Sequence, residues 1–220
     1  MTDHLPLKKK MSVVVALLLA CAVGACKRDV PDNTGDTSDI DNAFEVWVKA
    51  KGGKVNEINA KINEENETLT HLAAQEGCVD VLDWLKQRGA NVNARDRNGW
   101  VPMHSAALEN RIAVMKWLKE QGVDVNVRNQ NGWTPMHVAA LEGHVAAMKW
   151  LREQGVDVNV KDDHGNTPMQ VATKAGRTAV VKWLKEQGVD INARDNEGRT
   201  PLFYAHKPEA KEWLLANGAE

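Results

Sequence analysis

One interval, 33 residues, constrains this chain more than any other property. Pro102, Pro135, Pro168 and Pro201 recur at that spacing, as do Gly99, Gly132, Gly165 and Gly198, and Trp84, Trp117, Trp150 and Trp183. A fixed period of this size builds a stacked array, in which each unit buries its apolar face against its neighbours, rather than a globule closed round one core. The result is a long surface, better suited to holding something than to transforming it.

The stretch from Asn131 to Lys161 shows the unit. Gly132 permits a turn, and Thr134-Pro135 opens a short helix: the Thr hydroxyl can cap a free N–H, and Pro at the first helical position removes no needed donor. Gly143 breaks that helix. Val145 to Glu153 forms a second, with Met148, Trp150 and Leu151 on its apolar side. Gly155 ends it, and Val156-Asp157-Val158-Asn159 runs extended into the next turn. "TPMHVAA", "GH", "MKWL" and "GVDVNV" in this order resemble the ankyrin repeat, whose period is 33 and whose helix start reads T-P-L-H-x-A. The resemblance covers residues 66–220. It implies an all-α repeat fold: an ankyrin solenoid of helix-turn-helix units joined by β-hairpin-like turns, with four full repeats and a truncated fifth.

The copies differ where an array's ends and surfaces should. Leu69 replaces Pro in the first copy, Val101 replaces the capping Thr in the second at a cost of about 1 kcal/mol, and Gln170 replaces His in the fourth. The fifth reads "RTPLFYAH" and loses about three residues before Trp213, as expected of a terminal unit that faces water. At the other end, Trp47 to Gly52 repeats the spacing of Trp84 to Gly89, so residues 42–65 are read as an N-terminal capping helix and connection.

The front of the chain differs in kind. Lys8, Lys9 and Lys10 precede an uncharged run from Ser12 to Ala25, the pattern of an export signal. The run is short for a bilayer span, which takes about 20 apolar residues, although a retained anchor helix is the other reading. Val23-Gly24-Ala25-Cys26 resembles the lipobox of bacterial lipoproteins, with Leu18-Leu19-Ala20-Cys21 as the alternative. The resemblance implies lipidation of Cys26, and several acyl chains on one Cys anchor stably where a single chain is marginal. Lys27 is not the Asp that retains many such proteins in the inner membrane, which points to the outer membrane, facing the periplasm. Residues 27–41, rich in Asp with little to bury, are read as a flexible linker spanning roughly 20 Å.

The chain carries 28 basic and 30 acidic residues. Without residues 1–26 the formal net charge is −4, by loss of Lys8, Lys9, Lys10 and Asp3. No basic stripe with interleaved aromatics occurs, which argues against a nucleic-acid partner. Three cysteines form no disulfide framework. Cys78 stands where Arg111, His144 and Arg177 stand in later copies, and is therefore expected near the surface.

Candidate chemistry reduces to architecture. His71, His104 and His137 recur at the repeat period, but equivalent atoms of stacked helices lie about 10 Å apart, whereas a zinc ligand sits about 2 Å from its metal. In the family this His bonds within the turn and helix start. Asp124-Val125-Asn126, Asp157-Val158-Asn159 and Asp190-Ile191-Asn192 offer too few oxygens for Ca²⁺ and are read as backbone braces. Trp84, Trp117, Trp150 and Trp183 are read as core. No nucleophile elbow, Walker loop or dinucleotide fingerprint is present, so no catalytic residue, cofactor, metal or small-molecule substrate is expected.

The informative positions break the repeat. Directly after each turn Gly stand Trp100, Trp133, Asn166 and Arg199, at a position that the ankyrin resemblance makes variable and part of the concave binding surface. Contiguous exposed apolar surface marks interaction sites, and Trp is enriched at hot spots. The second reading is that both indoles lie flat and merely cover the stack. Hairpin-tip residues Arg97, Asn98, Gln130 and Asn131 flank them, and Leu108 and Leu141 extend the apolar patch. The expected function is a non-catalytic, monomeric protein-binding module tethered in the bacterial envelope, its partner an envelope enzyme or a toxin that it neutralises. The alternatives are peroxide protection through Cys78 and Met103, Met115, Met136, Met148 and Met169, and a host-directed effector.

Overall fold

The computed structural model describes residues 38–54 and 56–220. The export signal, Cys21, Cys26 and residues 27–37 of the linker lie outside the described residues. Among those described there are ten α-helices, one 3-10 turn and no strand. None of these helices is long and apolar enough to cross a membrane.

The first helix, α1 (Ser38–Ala50), begins inside the segment read as linker and ends at Lys51 and left-handed Gly52. Four helix pairs follow: α2 (Leu69–Glu76) with α3 (Val79–Gln87), α4 (Pro102–Leu108) with α5 (Ile112–Glu120), α6 (Pro135–Glu142) with α7 (Val145–Glu153), and α8 (Pro168–Ala175) with α9 (Thr178–Glu186). The last unit shortens its first helix to a 3-10 turn (Pro201–Tyr204) before α10 (Pro208–Ala216). The fold is an all-helical repeat solenoid.

Each first helix starts as its sequence dictates. Thr134 N–H donates to His137 Nδ1 at 3.2 Å, and the same bond links Thr68 to His71 and Val101 to His104. The ring nitrogen thus takes an orphan N–H that the helix cannot satisfy itself. Val101 brings no hydroxyl to its cap, and His104 carries that helix start.

The other imidazole nitrogen joins one repeat to the next. Nε2–H of His71, His104 and His137 donates to the carbonyls of Trp100, Trp133 and Asn166 at 3.1, 3.0 and 3.1 Å. Gln170 Nε2 does the same for Arg199 at 2.9 Å. Both nitrogens of each ring are spent in this way, which makes these residues structural joints. Burial holds all three imidazoles below their ordinary pKa, against the opposing pull of the bonded carbonyl, and His104 falls to about 4.

The first helices pack closely from repeat to repeat, with the second helices behind them. Met103, Met115, Met136, Met148 and Met169 are completely buried, and the Trp stripe is 4–7% exposed. Two of these indoles also bond: Trp117 Nε1–H donates to Asp83 at 2.6 Å and Trp84 to Asp41 at 2.7 Å, each reaching the preceding second helix. The Asp-x-Asn pairs brace backbone, Asn126 N–H donating to Asp124 Oδ1 at 2.8 Å.

Cys78 departs from expectation: it is fully buried. Its counterparts reach back to the preceding first helix, Arg111 to Gln75 O, His144 to Leu108 O and Arg177 to Leu141 O, at 2.8, 2.9 and 2.7 Å. Among the described residues the first repeat is preceded by α1 alone, which holds the register of a second helix. Among the described residues no first-helix end stands there for a long side chain to bond, and the small thiol turns into the core.

Candidate binding groove

The turns that precede the first helices form one continuous edge. Gln130 N–H donates to Asn98 O, Asp163 N–H to Asn131 O and Asn196 N–H to His164 O, at 3.1, 3.1 and 3.0 Å. Glycine is required where these turns meet. Gly132 has φ +74°, and a Cβ there would sit 2.7 Å from Asp163 N.

Each residue after the turn glycine is fixed at both ends of its backbone. Its N–H is held by the side chain four positions earlier: Trp100 by Asp96, Trp133 by Asn129, Asn166 by Asp162 and Arg199 by Asp195, all at 2.7–2.9 Å to Oδ1. Its carbonyl is held by the His or Gln of the preceding repeat. The backbone of these four positions is therefore set before any ligand arrives. This series of Asp96, Asn129, Asp162 and Asp195 is itself spaced by 33, a periodic signal that the sequence carries.

Neither Trp100 nor Trp133 is an open indole. Both are half-buried against the core. The Trp133 ring stacks on His137 with centroids 6.0 Å apart, and its Nε1–H donates to Asp162 Oδ2 at 3.1 Å. Trp100 tilts over His104 at 5.5 Å. Of the two readings, exposed indoles or indoles lying flat over the stack, the half-burial falls between: each ring keeps some exposure and rests on the imidazole of its own repeat.

A groove of about 470 Å³ opens between the turns and first helices of repeats three to five. Of the ten residues singled out in the sequence, Trp133, Leu141, Asn166 and Arg199 line it. Trp100 and Leu108, both half-buried, lie outside it, and Arg97, Asn98, Gln130 and Asn131 are exposed on the turn edge. Val171, Lys174 and Tyr204 complete its floor and wall, with His164, Gln170 and Ala175 beside them. Lys174 holds the register of Leu108 and Leu141, so the repeat pattern did contain the signal that would have found it. Tyr204 holds the register of Val171.

Buried carboxylates sit beneath the groove with their charge already spent. Asp195 Oδ2 accepts from Tyr204 OH at 2.5 Å and from Arg199 Nε at 2.9 Å. Burial alone would raise the Asp195 pKa, but the Tyr204 hydroxyl, the Arg199 side chain and two turn N–H groups outweigh it and hold the carboxyl well below the usual range. Burial, together with the bond to Asp195, pushes the Tyr204 hydroxyl up to about 12, so the proton stays on the phenol. The groove offers a mixed aromatic, aliphatic and cationic surface of the size that takes a few side chains.

A family model described as Ankyrin repeats (3 copies) matches the chain four times, over residues 41–129, 70–162, 103–195 and 154–220. A protein of Rickettsia bellii (strain RML369-C), named as an ankyrin repeat protein, is 34% identical over 74 residues. That stretch makes up 34% of this chain and 29% of the relative's length.

Proposed function

The chain belongs to the ankyrin-repeat family, and from that premise we propose that it is a non-catalytic module that docks a protein partner in the groove of repeats three to five. The observation that carries this reading is the fixation of Trp133, Asn166 and Arg199 at both ends of their backbone. A preformed surface loses little entropy on binding, so more of the contact energy appears as affinity.

The module is tethered in a bacterial envelope. The support is in the sequence: Lys8 to Lys10, the uncharged run and the small residues before Cys26 (or Cys21) fit export and lipidation, and residues 27–37 would hold the solenoid just off the membrane. An envelope enzyme or a toxin to be neutralised suits such a binder. Peroxide protection is less favoured, because Cys78 and the five methionines named for it are all completely buried.

Two measurements test the reading. Crosslinking capture from envelopes should lose its partner in Trp133→Ala, with the unfolding midpoint little changed; unaltered capture sinks the groove. Radiolabelled palmitate should enter the full chain and be lost in Cys26→Ala. Retained label in that variant would move the anchor to Cys21, and no label in either chain would remove it.

A further inference from the structure

Two registers border the groove, and both change character in the same direction. The position after the turn glycine runs Glu67, Trp100, Trp133, Asn166, Arg199. The position at the end of the first helix runs Gln75, Leu108, Leu141, Lys174, Lys207. Each is apolar in repeats two and three and cationic at the C-terminal end. Among the described residues no carboxylate lines the groove, since Asp162 and Asp195 lie beneath it, bonded to Trp133 and to Tyr204 and Arg199. Arg199 also pairs with Glu197, at 2.7 Å on the rim. Lys174 is exposed and is in no ion pair among the described residues; its Nζ lies 6.0 Å from the Tyr204 ring.

We infer that the groove recognises an extended segment of a partner protein carrying an aliphatic or aromatic side chain and, about three residues further on, a carboxylate. Adjacent repeats lie about 10 Å apart, and an extended chain advances about 3.3 Å per residue, which sets the interval. The apolar side chain packs between Trp133 and Leu141, and the carboxylate meets Lys174 at the Tyr204 end. Charge complementarity chooses an acidic segment over a basic one and gives it a direction along the stack. This inference rests on the groove reading above and adds the chemistry of the occupant.

The test is selection of random twelve-residue peptides displayed on phage against the immobilised protein, followed by anisotropy titration of the selected peptides. The expected result is enrichment of Asp or Glu three positions from a Leu, Phe or Trp. Lys174→Glu should weaken such a peptide at least tenfold, and Lys174→Gln should weaken it less. Both changes are on an exposed side chain, so an unchanged circular dichroism spectrum and melting curve confirm the fold. Selected peptides without acidic enrichment, peptides indifferent to Lys174→Glu, or no selection at all would overturn the inference. So would displacement by a synthetic peptide of residues 27–37, which would assign the groove to this chain's own acidic segment, or a dimer that Lys174→Glu dissolves. Partner capture that still depends on Trp133 would then leave the docking proposal standing and remove only the acidic specificity.

Discussion

The indole N–H of Trp133 donates to Asp162 Oδ2 across a repeat boundary, while Asp162 Oδ1 accepts the backbone N–H groups of His164 and Asn166. One carboxylate therefore shapes the turn of repeat four and orients the aromatic wall supplied by repeat three. Asp162→Asn separates these duties. Asn129 already performs the turn role in repeat three, so the turn should survive, but an amide nitrogen cannot accept from the indole. Stability should fall by about 1 kcal/mol, read by urea unfolding. Hydrogen exchange at the Trp133 indole proton should quicken; an unchanged rate would show that the bond does not hold the ring.

Acid should loosen the joints between repeats. His104 has a folded pKa of about 4 against 6.5 in the unfolded chain. The unfolded state therefore binds the extra proton first as pH falls. The stability tied to neutral His104 is intact above pH 6.5 and drains away between 6.5 and about 4, a loss of about 3 kcal/mol. His71 and His137 shift in the same direction. His104→Gln copies the joint that Gln170 makes, so the variant should unfold at a similar urea concentration at pH 7 and be less sensitive to acid at pH 4.5. Parallel losses in both proteins would refute the assignment to His104.

The second repeat lacks a hydroxyl at its helix start, and Val101 is 1% exposed. Val101→Thr is nearly isosteric and would place its Oγ1 against His104 Nδ1, as Thr134 Oγ1 lies 3.0 Å from His137 Nδ1. Thermal unfolding should shift upward by the equivalent of about 1 kcal/mol. A destabilised variant would mean that the buried hydroxyl finds no partner there.

Two glycines with similar backbone angles should respond differently to alanine. Gly155 has φ +86° and open space around it, so Gly155→Ala should cost about 1–2 kcal/mol, the strain of a left-handed residue. Gly132 has φ +74° and the backbone N of Asp163 where its Cβ would go, so Gly132→Ala should cost about 3 kcal/mol or more. Equal losses in denaturant titrations would contradict the close packing of neighbouring turns.

The period determined most of the fold. A Thr-Pro start, a left-handed glycine and an apolar stripe are each local signals, and their recurrence places Pro135 over Pro168 and Trp150 over Trp183 with no further information. Even the registers of the groove were available, since Lys174 stands 33 residues after Leu141. What periodicity could not supply was how equal positions differ once neighbours are present. Cys78 shares a register with Arg111, yet it lies in the core, where among the described residues no preceding first helix offers a carbonyl to reach for. Trp100 and Trp133 share a register too, but the turn that follows carries Asp162 for Trp133 and Asn129 for Trp100, and of the two only Trp133 bonds that side chain through its indole and borders the groove. Sequence fixes a residue's place within its own repeat, whereas its exposure and hydrogen-bond partner come from the adjacent repeat, and that pairing exists only in the stacked structure.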